Sequence, residues 1–203
     1  RTTGVSLRIL HTSDWHLGVS TGPASRVDEQ RQFLSWLHET LATRDVDALI
    51  VAGDIFDTMH PSAEVQGLYY GFLAALGDSG VRDVVVIGGN HDSASRLDAP
   101  AALLRAVNVH VVGGVPSGDI RAERMVAPLR ARGTEAPAAV CLAVPYVHEY
   151  RLGIRTTDLD QDQTRAEFQR VFSELYTELA DAAEQTYPGL PILATGHLTL
   201  GFG

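Results

Sequence analysis

The sequence predicts an α/β protein, a four-layer α/β/β/α sandwich of two mixed sheets flanked by helices. Two observations predict it. Three times in the first half of the chain, a short β-rich run ends in a polar motif and leads into a segment with helical periodicity, the pattern of βαβ units. From residue 119 that alternation gives way to two neighbouring strand-like runs and one long helix, which fits a second sheet better than further crossovers.

The elements follow in order. Residues 7–12 form the first run. After a loop with Gly18, Gly22 and Pro23, Ser25 opens a helix with Asp28 three residues on, and Phe33, Leu34, Leu37 and Leu41 share one face. Residues 48–52 form the second run. Its helix follows Pro61 and sets Val65, Leu68, Tyr69, Phe72, Leu73 and Leu76 at spacings of three and four, one stripe against a sheet. The third run is 84–88. A short helix is expected near Asp98 and Pro100, then an edge strand at 109–112 and a turn-rich stretch at 113–118. Residues 119–144 read as two strands joined by a loop at 130–137. The longest helix starts at Thr164 with Glu167 as its box partner and aligns Phe168, Val171, Phe172, Leu175, Tyr176 and Leu179 until Pro188 ends it. A last strand at 192–195 delivers Gly196-His197.

A chain of 203 residues with 45% hydrophobic and 20% charged residues has enough material for one well-filled core, so a single domain over 1–203 is expected. No run approaches the roughly 18 apolar residues of a membrane span, and residues 1–6 lack the basic and apolar regions of a signal peptide, so a cytoplasmic protein is expected. The single cysteine, Cys141, lies in the apolar run 138–144 and reads as a buried thiol; no internal disulfide is possible. The net charge of −9 argues against a broad nucleic-acid-binding face. Carboxylates that hold divalent cations would account for part of that charge. All 16 basic residues are arginine, and Arg121, Arg124, Arg130 and Arg132 form the candidate basic patch, with a solvated hairpin face as the alternative.

The chemistry lies in four motifs at strand exits. Asp14-Trp15-His16 follows the first run, where alternate residues of an extended segment direct a carboxylate and an imidazole to one side. Gly53-Asp54-Ile55-Phe56-Asp57 follows the second: glycine permits a sharp turn, and the two oxygens of Asp54 are able to bridge two cations. Asp57 reads as a residue that orients a ligand or caps the turn. Gly88-Gly89-Asn90-His91-Asp92 follows the third. The Asn90 amide oxygen suits a hard or borderline divalent metal, and His91 is placed to stabilise a phosphate or protonate a leaving oxygen. Gly196-His197 closes the set. Each fragment alone is weak; together, at successive strand ends, they converge on one edge. Trp15 and Phe56 are expected to pack beneath the site, Tyr69 and Phe72 to be core and Tyr70 to lie off the stripe. His60, beside the second motif, reads as a loop residue, with substrate contact as the alternative, and His11, His38, His110 and His148 read as structural or surface residues.

The motifs Asp14-x-His16, Gly53-Asp54-x-x-Asp57, Gly89-Asn90-His91-Asp92 and Gly196-His197 resemble the first four motifs of the calcineurin-like metallophosphoesterases. The flanks at 8–18, 52–58 and 89–97 are similar to the SbcD family, the nuclease subunits of bacterial SbcC–SbcD repair complexes. The resemblance implies two divalent ions, manganese first and magnesium as the alternative. Asp14 and His16 would hold one, Asn90 and His197 the other, with Asp54 between them. His91 would be catalytic and not a ligand, with Asp57 and Asp92 in support and Arg96, Arg121 and Arg124 as DNA-contact candidates. It also implies direct hydrolysis of DNA phosphodiesters, exonuclease or endonuclease, in processing breaks or hairpins. An SbcC-type ATPase partner and a homodimer follow, at the nucleoid when on DNA and with no membrane. The family's closing Gly-x-His-x-His-type motif, capping region and ATPase-contacting segment are not within these 203 residues, so a C-terminally truncated domain with an incomplete site is expected. The alternatives are a phosphoesterase for small nucleotides or phosphoproteins, or a dimerising fragment without catalysis.

Overall fold

The computed structural model describes residues 6–116, 121–147 and 160–198; Gly118, Asp119 and His148 lie outside them. β1 (Ile9–Thr12), β4 (Ala48–Ala52), β5 (Asp83–Ile87) and β6 (Val109–Val112) form a sheet in that order, every pair parallel. β7 (Val126–Arg130), β8 (Pro137–Val144) and β9 (Ile192–Gly196) form a second sheet, antiparallel between β7 and β8 and parallel between β8 and β9. Thus only the second sheet is mixed; the first has crossover helices throughout, as parallel neighbours require.

The four layers are as expected. β4 and β5 are buried at every position, and their alternation divides two cores. Leu49, Val51, Val84 and Val86 pack outward against α1 (Val27–Thr43) and α2 (Ala63–Ser79). Ala48, Ile50, Ala52, Val85 and Ile87 pack inward with Val126, Val140 and Leu142 of the second sheet, whose outer face, carrying Ala127, Leu129 and Cys141, is covered by α6 (Gln161–Thr186) through Leu175, Leu179 and Ala183. Burying each such aliphatic side chain contributes roughly 1.5–3 kcal/mol, so these cores fix the relative position of the strand exits.

Several local expectations are corrected. Ser25 does not cap α1: it lies in a two-residue strand, β3 (Ala24–Ser25), paired with β2 (Ser20–Thr21), and Arg26 is the N-cap without a side-chain bond. The single short helix is two, α3 (Ala94–Asp98) and α4 (Ala101–Arg105), divided near Pro100. Arg121 and Arg124 stand on a short helix, α5 (Arg121–Met125), and not on a hairpin face. α6 starts three residues earlier than Thr164, because Asp160 accepts from the Gln163 amide at 2.8 Å while Gln163 Oε1 accepts from the Asp160 amide at 3.0 Å. Ser62 caps α2 as the Pro61 break suggests.

Candidate metal centre

The exits of β1 and β4 are stitched together by backbone bonds. The Asp14 amide donates to the Gly53 carbonyl and the His16 amide to the Asp54 carbonyl, each at 3.0 Å, and Leu17 donates to Ile55 at 2.9 Å. This register bends the chain sharply. Asp14, His16 and Asp54 all take left-handed backbone conformations, with φ of 56°, 45° and 51°. Such conformations cost roughly 1–2 kcal/mol per non-glycine residue and persist only where the surroundings impose them. Gly53 has φ 88°, and a Cβ there would strike the His197 ring. At Gly89 a Cβ would strike Asp54. Both glycines are therefore needed for close approach, and Gly53 for the turn as well.

Asp92 pegs the two loops. Buried at 4% exposure, its carboxylate accepts from the amides of Phe56 at 2.9 Å, Ile55 at 3.1 Å and Gly89 at 2.8 Å. Burial raises its pKa above the usual carboxylate range, and the amide bonds oppose that rise. Gln30 of α1 clamps the β1 exit: its Oε1 accepts from Gly18 N–H and its amide donates to the His16 carbonyl, at 2.9 and 3.0 Å. Sequence reasoning passed over Gln30. The signal was present, since Gln30 falls on the buried stripe of α1 with Leu34, Leu37 and Leu41, where a polar residue must have a partner.

Around this frame the polar side chains converge. Asp54 is 3% exposed; its Oδ1 accepts from the His91 amide at 3.0 Å. Its Oδ2 lies 3.5 Å from His16 Nε2 and 3.6 Å from His197 Nε2. His16, Asp54 and His91 place ligand atoms within 4.8 Å of one another, as do Asp14, Asp54 and His197. Asp54 is common to both groups, the position expected of a bridge.

Asp57 sets two imidazoles. Its carboxylate lies 3.3 Å from His16 Nδ1, and its main-chain carbonyl accepts from His91 Nδ1 at 2.9 Å. Each bond fixes a ring, and His16 Nε2 then faces Asp54. The Asp57 carbonyl raises the His91 pKa above the ordinary imidazole value; burial opposes this, and the carboxylates of Asp54, Asp57 and Asp92 add to it.

His197 arrives from β9 and donates from Nδ1 to the Ala52 carbonyl at 2.8 Å. In neutral imidazole its Nε2 is then an acceptor, yet that atom faces Asn90 Oδ1 at 3.1 Å. Both atoms are thus placed to serve as ligand atoms for one ion. The donor set of carboxylates, imidazoles and an amide oxygen therefore fits borderline divalent metals. Asp14, His16, Asp54, Asn90, His91 and His197 are all brought together; the close approach of His91 to His16, with ring centroids 4.9 Å apart, was not legible in the sequence.

Trp15 and Phe56 pack beneath the site, Trp15 edge-on to Phe33 and Phe72 and Phe56 edge-on to Tyr69. Cys141 is fully buried, its thiol pushed up to about 12 by burial. The arginines of the candidate patch each meet a carboxylate. Arg121 meets Glu178 at 2.8 Å, Arg124 meets Asp98 at 2.7 Å and Arg130 meets Asp83 at 2.6 Å. Arg132 lies 3.5 Å from Asp45 and donates to main-chain carbonyls, including that of Ser79. Arg96 stands on α3, just beyond the Asn90-His91-Asp92 loop.

The strand exits of both sheets meet over a donor cluster in which two groups share Asp54. The profile of the calcineurin-like phosphoesterases matches residues 7–198, and the chain belongs to that family. Over 201 residues it is 39% identical to the SbcD subunit of nuclease SbcCD from Rhodobacter capsulatus, covering 97% of this chain and 49% of that protein. It is 36% identical over 195 residues to the corresponding nuclease subunit of Escherichia coli K12, covering 95% and 46%. With that of Bacillus subtilis the identity is 44% over 107 residues, 53% of this chain and 27% of that protein. The chain spans about half the length of the first two relatives.

Proposed function

We propose that this chain is the metal-binding core of a DNA nuclease that hydrolyses phosphodiesters directly with two divalent ions, manganese in preference to magnesium. The observation that supports this most is the pair of donor groups sharing Asp54. Asp14 and His16 would hold one ion, Asn90 and His197 the other, with Asp54 between them. When bound, such a pair polarises the phosphoryl oxygens and lowers the pKa of an attacking water. No serine or cysteine nucleophile is then needed, in keeping with the burial of Cys141.

The chain's own groups do the remaining work. Asp57 holds His16 and His91 in orientation, and Asp92 holds the loops that carry Asp54 and Asn90. His91, fixed through Nδ1, presents Nε2 outward. Its ring, held by the Asp57 carbonyl, is placed to donate a proton to the leaving oxygen.

The relatives are named as SbcD subunits of nuclease SbcCD, which supports extending DNA as substrate and an SbcC-type ATPase as partner to this chain. The outer face of α1 and α2, where Trp36 is 58% exposed, is the surface we assign to a homodimer. No helix among the described residues is long and apolar enough to cross a membrane, and we place the protein in the cytoplasm, at the nucleoid when on DNA.

The test is manganese titration by calorimetry on this polypeptide, paired with cleavage of a labelled duplex and of bis(p-nitrophenyl) phosphate. Two bound ions with duplex cleavage are expected. Hydrolysis of the small diester without duplex cleavage would transfer the assignment to a small-nucleotide phosphoesterase. No bound ion and no turnover would leave a non-catalytic fragment.

A further inference from the structure

The β8–β9 ladder ends at the Val144–Gly196 pair, one residue before His197. A side chain carried just past a strand end keeps its direction only where other groups support it. The bond from Nδ1 to the Ala52 carbonyl sets the tautomer of the His197 ring, but it does not hold the main chain that carries the ring. Two tyrosines without a part in the proposed reaction stand against this strand end from different elements.

Tyr176 of α6 packs half-buried against the second core, and its hydroxyl donates to the Thr195 carbonyl at 3.3 Å. Its phenol oxygen also lies so close to Gly196 that a Cβ there would meet it at 2.6 Å. Gly196 is not among the glycines with a left-handed φ, so its missing side chain serves this approach and not a turn. The Thr195 hydroxyl is buried without a partner and gives the strand end no side-chain bond of its own. Tyr146 follows β8. Its ring stands edge-on to the His197 imidazole, with centroids 6.3 Å apart and planes at 73°, a favourable aromatic arrangement. Its amide donates at 2.8 Å to the carbonyl of Gly88, two residues before Asn90. One residue thus meets His197 with its ring and the Asn90 loop with its main chain.

We infer that Tyr176 and Tyr146 are positioning residues for His197. The phenol of the first holds the strand end and the ring of the second holds the tilt of the imidazole, so that Nε2 stays beside Asn90 Oδ1. The inference rests on the metal-binding reading for its purpose and on the two tyrosine contacts alone for its geometry. Neither contact involves Asp14 or His16. The outer helix α6 therefore has a hold on one ion position only: a shift of this helix moves His197 and leaves the Asp14–His16 half in place.

The experiment titrates manganese by calorimetry into wild type, Tyr176→Phe and Tyr146→Leu, with His197→Ala marking the ion that depends on the histidine. In each tyrosine variant the dissociation constant of that ion should rise about 3–10-fold, the worth of one hydrogen bond or one aromatic contact, while the other ion's stays within about twofold. Tyr146→Leu removes the ring and keeps the amide bond to Gly88. Gly196→Ala, which displaces the phenol, should reproduce the Tyr176→Phe result. Equal weakening of both ions, or of neither, overturns the positioning role, because a general loss of stability does not choose one ion. Imidazole NMR spectra in a chelator give a metal-free reading: the His197 Nδ1–H should exchange with solvent about 3–10-fold faster in Tyr176→Phe, with the His16 ring signals unchanged. If the wild type binds no ion but this exchange responds, the metal-binding reading fails and the positioning stands. Two bound ions, with constants and exchange both indifferent to the tyrosines, fail the positioning alone. No ion and no response fail both.

Discussion

The two sheets reach the candidate centre in different ways. The parallel sheet delivers Asp14, His16, Asp54, Asn90 and His91 from neighbouring exits tied by main-chain bonds, the Gln30 clamp and the Asp92 peg. The mixed sheet delivers His197 from β9, which pairs on one side with β8 and is half-exposed along most of its length. Its links to the first sheet at this end include the contacts of His197 with Ala52 and Asn90 and the bond from the Tyr146 amide to the Gly88 carbonyl at 2.8 Å. One half of the centre is thus set within a single layer, and the other depends on how two layers pack. The lesson is that ligands of equal chemical quality need not be equally organised, so the Asp14–His16 half should bind its ion more tightly.

The strongest way to break this comparison is through Asp54, which serves both halves. Asp54→Ala should abolish detectable manganese binding and lower turnover at least ~10³-fold, whereas His197→Ala should reduce the stoichiometry from two ions to one. Calorimetry on the two variants decides it: retained turnover in the first, or loss of both ions in the second, would overturn the division.

His91 tests whether proximity to the cluster means ligation. His91→Gln should keep both ions and lose about 10²–10⁴-fold in kcat. A fall in ion stoichiometry would instead make it a ligand, consistent with its grouping beside His16 and Asp54.

Asp92 tests the stitching of the parallel half. Asp92→Ala leaves buried amides of Ile55, Phe56 and Gly89 without an acceptor and should cost about 3–5 kcal/mol by urea denaturation. Glu135→Ala, at a largely exposed carboxylate, should change stability by less than about 0.5 kcal/mol. Comparable losses would deny Asp92 its role as the peg.

The smallest effect concerns the seam between the two regions, where His110 of β6 lies 2.6 Å from the Arg124 carbonyl of α5. Burial lowers its pKa below the ordinary imidazole value; the hydrogen bond to Arg124 opposes this, and the charges of Arg105 and Arg124 reinforce it. A lowered folded pKa means that the unfolded chain binds more protons between that value and about 6.5. The contribution is complete above the unfolded pKa and is lost as pH falls from about 6.5 towards the folded value. His110→Asn should narrow the difference between urea midpoints at pH 7.5 and 5.5. An identical difference in both proteins would remove His110 from the pH response.

Much of the parallel half was legible because its signals are local. β4 and β5 are uninterrupted apolar runs that end in glycine and a polar residue, and such runs announce both a buried strand and its exit. The ligand types were legible for the same reason. What stayed hidden depends on residues distant in sequence. The Arg130–Asp83 and Arg121–Glu178 pairs join residues 47 and 57 positions apart, which no local pattern expresses. Asp57 uses its side chain for one histidine and its carbonyl for another, which no spacing rule expresses. The Asp160 cap won over Thr164 because a reciprocal box with Gln163 was available one turn earlier.

The Asp92 peg also bears on how still the site is. Loops ordinarily exchange their amide hydrogens with solvent quickly, since local opening exposes them at little cost. The amides of Ile55, Phe56 and Gly89 lie outside the strands yet are buried and bonded to a carboxylate anchored across the two loops. Their exchange should require the same global opening as β4 and β5. The floor of the centre would then belong, in its motions, to the slowest-exchanging core and not to the surface on which it opens.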